Sequence, residues 1–216
     1  MTDDRKGGIA MIAGAAGGII TMILHPSGRD LFVPGQLEPM AYLGVAVHAL
    51  ALASTPVAFL GALALSRRTA APDRLAVAAL VMYGFASAAV MVAAVVSGLV
   101  APGLAREIIT GAPTASEGWR IVFDYNGQLN QGFARVFAVA SSAAIVLWSV
   151  AIVRRRALAP GVGIYGLLLG PAIIIAIVSG HLRPDVHGFG LVIFGQAVWF
   201  IVAGALLCRR EEVTST

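Results

Sequence analysis

Six long apolar runs separated by short polar segments constrain this chain more than any other feature. They run from Ile9 to Leu24, Ala41 to Ser66, Leu75 to Ala101, Gly132 to Val153, Gly161 to Gly180 and His187 to Cys208. A hydrocarbon layer of about 30 Å is crossed by roughly 20 apolar residues in a helix. The runs are too long for barrel strands and do not alternate, so closed β-barrels are set aside. The expected fold class is all-α: a polytopic six-transmembrane-helix bundle in one domain over residues 1–216. Composition agrees. The chain is 58% hydrophobic and 12% charged, with mean hydropathy +0.86. An ordinary soluble domain carries about 25% charged residues. A soluble globule and a disordered chain are both excluded.

The net charge of +4 needs no polyanionic partner, and nucleic acid is not expected. The basic residues cluster at the ends of the apolar runs. Arg5, Lys6, Arg67, Arg68, Arg74, Arg154, Arg155, Arg156, Arg209 and Arg210 fall on one side. Arg29, Arg106, Arg120, Arg135 and Arg183 fall on the other. The positive-inside rule then predicts cytoplasmic N- and C-termini in a multi-pass protein of a bacterial inner (plasma) membrane. The outer loops become Leu24–Met40, Pro102–Gln131 and His181–Asp185. Ala13-Gly14-Ala15 resembles a signal cleavage site, but apolar sequence continues beyond it, so the first run is expected to stay as a helix.

Several chemistries drop out. The single lysine, Lys6, precedes the first run, so no intramembrane Schiff base is available. A single cysteine, Cys208, excludes an intrachain disulfide and a cysteine-built zinc or iron–sulfur site. There is no Gly-x-Ser-x-Gly elbow, no phosphate loop, and no pair of histidines four apart.

What remains is a set of polar groups inside or beside the apolar runs. His48 lies seven residues into the second run and shares a face with Leu52 and Thr55. An intramembrane ionisable residue is a candidate functional group by default. His25, His181 and His187 fall at run ends on the same predicted side as His48. Asp30 and Asp185 accompany them. Imidazole is the commonest metal ligand. These six residues are therefore the candidate metal set, for a divalent ion, with His48 and His187 as the candidate pair for a haem. Satisfied interfacial histidines are the plain alternative. Arg135 lies just inside the fourth run and is expected to snorkel, with pairing to Asp124 or binding of an anionic headgroup as the alternatives. Tyr83, Ser142 and Gln196 add polar positions to the third, fourth and sixth runs, either bonding between helices or lining a pocket.

Gly14 and Gly18, and Gly166 and Gly170, have small-xxx-small spacing. They predict close packing and a central place for the first and fifth runs. Pro171 predicts a bend in the fifth. Trp119, Phe123 and Tyr125 suit interfacial anchoring of the longest loop.

Three readings follow. The first is a membrane redox protein or enzyme with an outward-facing metal or haem site. The second is a small transporter or lipid-binding protein. The third is an accessory subunit of a larger membrane complex, with the lipid bilayer and a homo-oligomer or larger complex as the expected partners. No reaction is assigned.

Overall fold

A computed structural model describes residues 2–69 and 74–209. Arg210, counted above with the basic cluster, lies outside the described residues. The described chain is helical: α1 (Asp3–Leu24), α2 (Leu37–Thr69), α3 (Leu75–Ala94), α4 (Ala101–Thr110), α5 (Pro113–Arg155), α6 (Pro160–Val178) and α7 (Val186–Cys208). A 3-10 turn at Asp30–Phe32 follows α1, and a π-helical turn at Val95–Val100 joins α3 to α4. Six helices are long and apolar enough to cross a membrane, with Leu75–Thr110 counted as one rod.

The helix ends follow local chemistry. Thr2 caps α1 through its side chain, which accepts from the Arg5 N–H, and Asp3 and Asp4 occupy the positive end of the helix dipole. Asp185 caps α7 by accepting from the Gly188 N–H at 2.9 Å. Pro113 and Pro160 open α5 and α6 at the first helical position, where no backbone donor is needed. α6 continues through Pro171 as helix, and α2 through Pro56.

The segment Pro102–Gln131, expected to be a loop, is almost wholly helical. α4 carries the third span out to Thr110, and α5 starts at Pro113 and runs 43 residues. At 1.5 Å per residue α5 is roughly 65 Å long, about twice a hydrocarbon layer. The polar composition of this stretch reflects a helix that runs beyond the apolar belt. A small second core holds it: Leu31, Ala41 and Ala105 are buried, with Phe123 packed against them. Phe32 meets Phe123 edge-on at 5.1 Å, and Arg106 donates to both oxygens of Glu38 at 2.8 Å.

The spans pack in chain order around a closed ring. α1 meets α2, α2 meets α3, α3 meets α5, α5 meets α6, α6 meets α7, and α7 returns to α1. Gly14 brings α1 onto α2: a Cβ there would stand 2.6 Å from the Ala58 methyl and 2.7 Å from its backbone. Gly18, the other member of the predicted pair, faces the looser Ile193. Among the described residues α6 packs only on α5 and α7, so it is peripheral and not central as its glycine spacing implied. Gly170 faces α5 alone, and Gly166 faces α5 together with Trp199 of α7.

The half of the ring that bears the chain termini is filled. Trp148 and Trp199 stack at 5.9 Å, Phe200 stands edge-on to both, and Tyr83 closes on Trp148 at 5.6 Å. Both indole N–H groups are satisfied: Trp148 donates to the Ser66 hydroxyl and Trp199 to the Val162 carbonyl. The opposite half is not filled, and the functional groups lie there.

Candidate functional site

A cavity of about 160 Å³ occupies that half of the bundle. Tyr83, Phe200 and Ala58 form its inner end, on top of the aromatic layer. It reaches Asn130, Pro184 and the exposed Asp185 at the end away from the termini. The walls are mostly apolar, from α1, α2, α3, α5 and α7, and α6 contributes nothing.

Four polar lining side chains are more than nine-tenths buried: Thr21 at 7% exposure, His48 at 5%, Tyr83 at 6% and Gln196 at 4%. Buried polar groups in proteins are normally hydrogen-bonded. Here the accounting is incomplete on the cavity side. The Thr21 hydroxyl has no partner among the described residues. No described protein group bonds the Tyr83 hydroxyl. Gln196 donates to the hydroxyls of Ser141 at 2.8 Å and Ser142 at 3.0 Å.

The two histidines carry the clearest chemistry. His48 donates from Nδ1 to the Gly44 carbonyl at 2.7 Å. His25 donates from Nδ1 to the Pro26 carbonyl at 2.8 Å. Each backbone carbonyl fixes the tautomer, so both Nε2 atoms carry lone pairs. The rings meet edge-on, with centroids 4.7 Å apart. Gly98, in the π-helical turn, lies against the Cβ and Cγ of His48, where any side chain would collide. Asn126 of α5 donates to the Val96 carbonyl in the same turn. Such π-helical turns are rare and often found at functional sites. This one places a glycine against the imidazole and leaves the ring held from two sides.

Burial lowers the His25 pKa below its ordinary 6.5, and the Pro26 carbonyl only partly offsets this. A lowered value means the unfolded chain binds the proton more readily than the folded one. The stabilisation is therefore full above pH 6.5 and is lost as pH falls from 6.5 through the lowered folded value. Thermal unfolding in detergent, followed from pH 8 to pH 5, should show a midpoint that drops below about pH 6.5. His25→Gln should flatten that drop; parallel curves for the two proteins would refute the assignment.

The six expected metal ligands are not gathered. Among the described residues no group of three or more histidine, cysteine, aspartate or glutamate side chains forms. His25 and His48 meet, but Asp30 turns back to accept from the Ser27 N–H at 2.7 Å. Asp185 reaches the cavity mouth as the cap of α7. His181 is exposed and bonds Ser179, and His187 is exposed on α7. Neither lines the cavity that holds His48. All four histidines lie toward one end of the bundle, but the peripheral position of α6 takes His181 away from the cavity. Arg135 is exposed on α5 and makes no ion pair with Asp124 among the described residues. Ser142 and Gln196 bond each other, as interhelical polar pairs do.

Sequence reasoning missed Thr21 and Gly98. Thr21 had a signal: it is the lone hydroxyl in the first apolar run, seven residues from Gly14 on the packed face. Gly98 had none. No protein-family model, curated protein or solved structure matches the chain.

Proposed function

We propose that this chain is a multi-pass membrane protein that binds a small, hydrogen-bond-donating organic molecule in the His25–His48 cavity. The observation that carries the reading is the pair of anchored imidazoles whose Nε2 lone pairs have no assigned partner in a largely apolar pocket. A lone pair calls for a donor. Among the described residues no Lys or Arg side chain lines the cavity, so an anion has no such cation to pair with there. The volume is close to that of an engineered cavity, about 150 Å³, that takes benzene. A ring bearing a hydroxyl or amine fits both size and polarity.

A bilayer setting is supported by the outward-facing apolar side chains, such as Leu168, Ile175, Val178 and Leu191, each at least 66% exposed. The arginine excess at the terminal end favours cytoplasmic termini, which would open the cavity to the outer side of an inner (plasma) membrane.

The test uses phenol and anisole, which differ in the donor, with protein in phosphatidylcholine nanodiscs and ligand contact read by saturation-transfer NMR. Phenol should bind about tenfold more tightly than anisole, the worth of one hydrogen bond to a buried acceptor. His48→Phe should erase the difference. Equal binding of the two probes would sink the reading.

A second reading, a metal ion held by the same two Nε2 atoms, is favoured by the Nδ1-to-carbonyl anchors. Outer bonds of this kind orient histidine ligands. Elemental analysis of purified protein separates the readings: near-stoichiometric metal, lost in both His25→Ala and His48→Ala, would select the metal.

A further inference from the structure

A second concavity lies at the opposite end of the bundle and shares no lining residue with the first. It is a groove of about 840 Å³ between the start of α1, the end of α7 and the α5–α6 turn. Among the described residues four arginines line it, Arg5, Arg68, Arg156 and Arg209, against one acid, Asp4. Asp4 is engaged by Arg68 at 3.5 Å. The remaining three arginines make no ion pair among the described residues. The same groove has an apolar wall that includes Leu158, Leu206 and Leu207.

Arg156 is held there at a conformational cost. It is the only non-glycine residue with positive φ among the described residues, at φ 52° and ψ 34°. This left-handed position just past a helix is where glycine is the usual choice. The αL backbone is unfavourable for a side chain with a Cβ. An arginine at this position calls for a reason other than backbone preference.

We propose that this groove binds the phosphate of an anionic phospholipid, with the arginines around the headgroup and an acyl chain against the leucine wall. Guanidinium groups suit phosphate because their forked donors match its oxygens. Basic pockets between spanning helices on the cytoplasmic side are the usual setting for such headgroups. The apolar wall distinguishes a lipid from free phosphate, which has nothing to place there. The inference rests on the membrane-spanning reading above but not on the cavity ligand.

The test compares dioleoyl phosphatidylglycerol with dioleoyl phosphatidylcholine by native mass spectrometry of detergent-purified protein. Incorporation into phosphatidylcholine nanodiscs checks the spanning reading separately. Wild type should retain phosphatidylglycerol in preference to phosphatidylcholine. Arg156→Gly should lower phosphatidylglycerol affinity about fivefold, and Arg156→Gly with Arg209→Gln about 25-fold, on the usual worth of one arginine at a charged lipid surface. Arg156→Gly removes the charge while giving the backbone the residue it prefers, so its lipid-free thermal midpoint should not fall. If it does, Arg209→Gln alone carries the test, with the same fivefold loss expected. Arg120→Gln, at the other end of the bundle, should change nothing. Equal retention of the two lipids, or unchanged affinity in the arginine variants, would overturn the assignment. Displacement of phosphatidylglycerol by an equal concentration of inorganic phosphate would overturn the lipid as the source of the anion.

Discussion

Gly98→Ala is expected to lower the thermal midpoint by on the order of 5 °C and to abolish discrimination between phenol and anisole. Helix propensity alone predicts the reverse, because alanine is favoured over glycine by about 1 kcal/mol inside a helix. The sign turns on what the new methyl would meet. At Gly98 it meets the Cβ and Cγ of His48, close to the α2 backbone and unable to swing away. His48 is also tied by Nδ1 to the Gly44 carbonyl. Overpacking of this kind costs about 1–3 kcal/mol. The decisive comparison is a double variant. His48→Gly, which removes both atoms, should cost clearly less in the Gly98→Ala background than in wild type, since the two residues share the contact. If the two effects simply add, the described contact is not the cause.

Trp148→Ala should have the larger effect on stability, about 3–5 kcal/mol, which corresponds to a fall in midpoint on the order of 10 °C. Trp148 is fully buried and touches Tyr83, Trp199 and Phe200. Its removal also takes the donor from the buried Ser66 hydroxyl. The lost volume lies directly behind Tyr83, so the inner end of the cavity should loosen. Circular dichroism melts in detergent read the first effect, and weakened phenol binding reads the second. Trp148→Phe should retain most of the stability. A Trp148→Ala protein that melts with wild type would show that the aromatic layer does not close the bundle.

The number and approximate place of the spans were legible because hydrophobic transfer dominates everything else in these segments. Their lengths were not. Hydropathy marks where a helix leaves the apolar belt, not where it stops, and α5 continues through Asn130, Gln128 and Asn126 without a break. His48 was legible as a polar residue in an apolar run. Its pairing with His25 was not, because it depends on how the chain turns at Pro26 before re-entering the bundle. His181 and His187 were placed at the correct end of the bundle by counting spans. Counting spans does not tell which helices face inward, and α6 does not. The π-helical turn leaves no periodic mark, since every residue from Val95 to Val100 except Ser97 is apolar or glycine.

The ring arrangement also has a temporal meaning. Helices that neighbour one another around the ring are, with one exception, neighbours in the order of synthesis. Each emerging span can dock on the one just completed. The exception is the seam between α1 and α7, where Gly8 lies against Gly204 and the Cys208 thiol reaches the Arg5 carbonyl at 3.6 Å. Until α7 arrives, α1 lacks that neighbour and the cavity lacks the wall that carries Gln196 and Phe200. Closure of the cavity is thus tied to the arrival of α7.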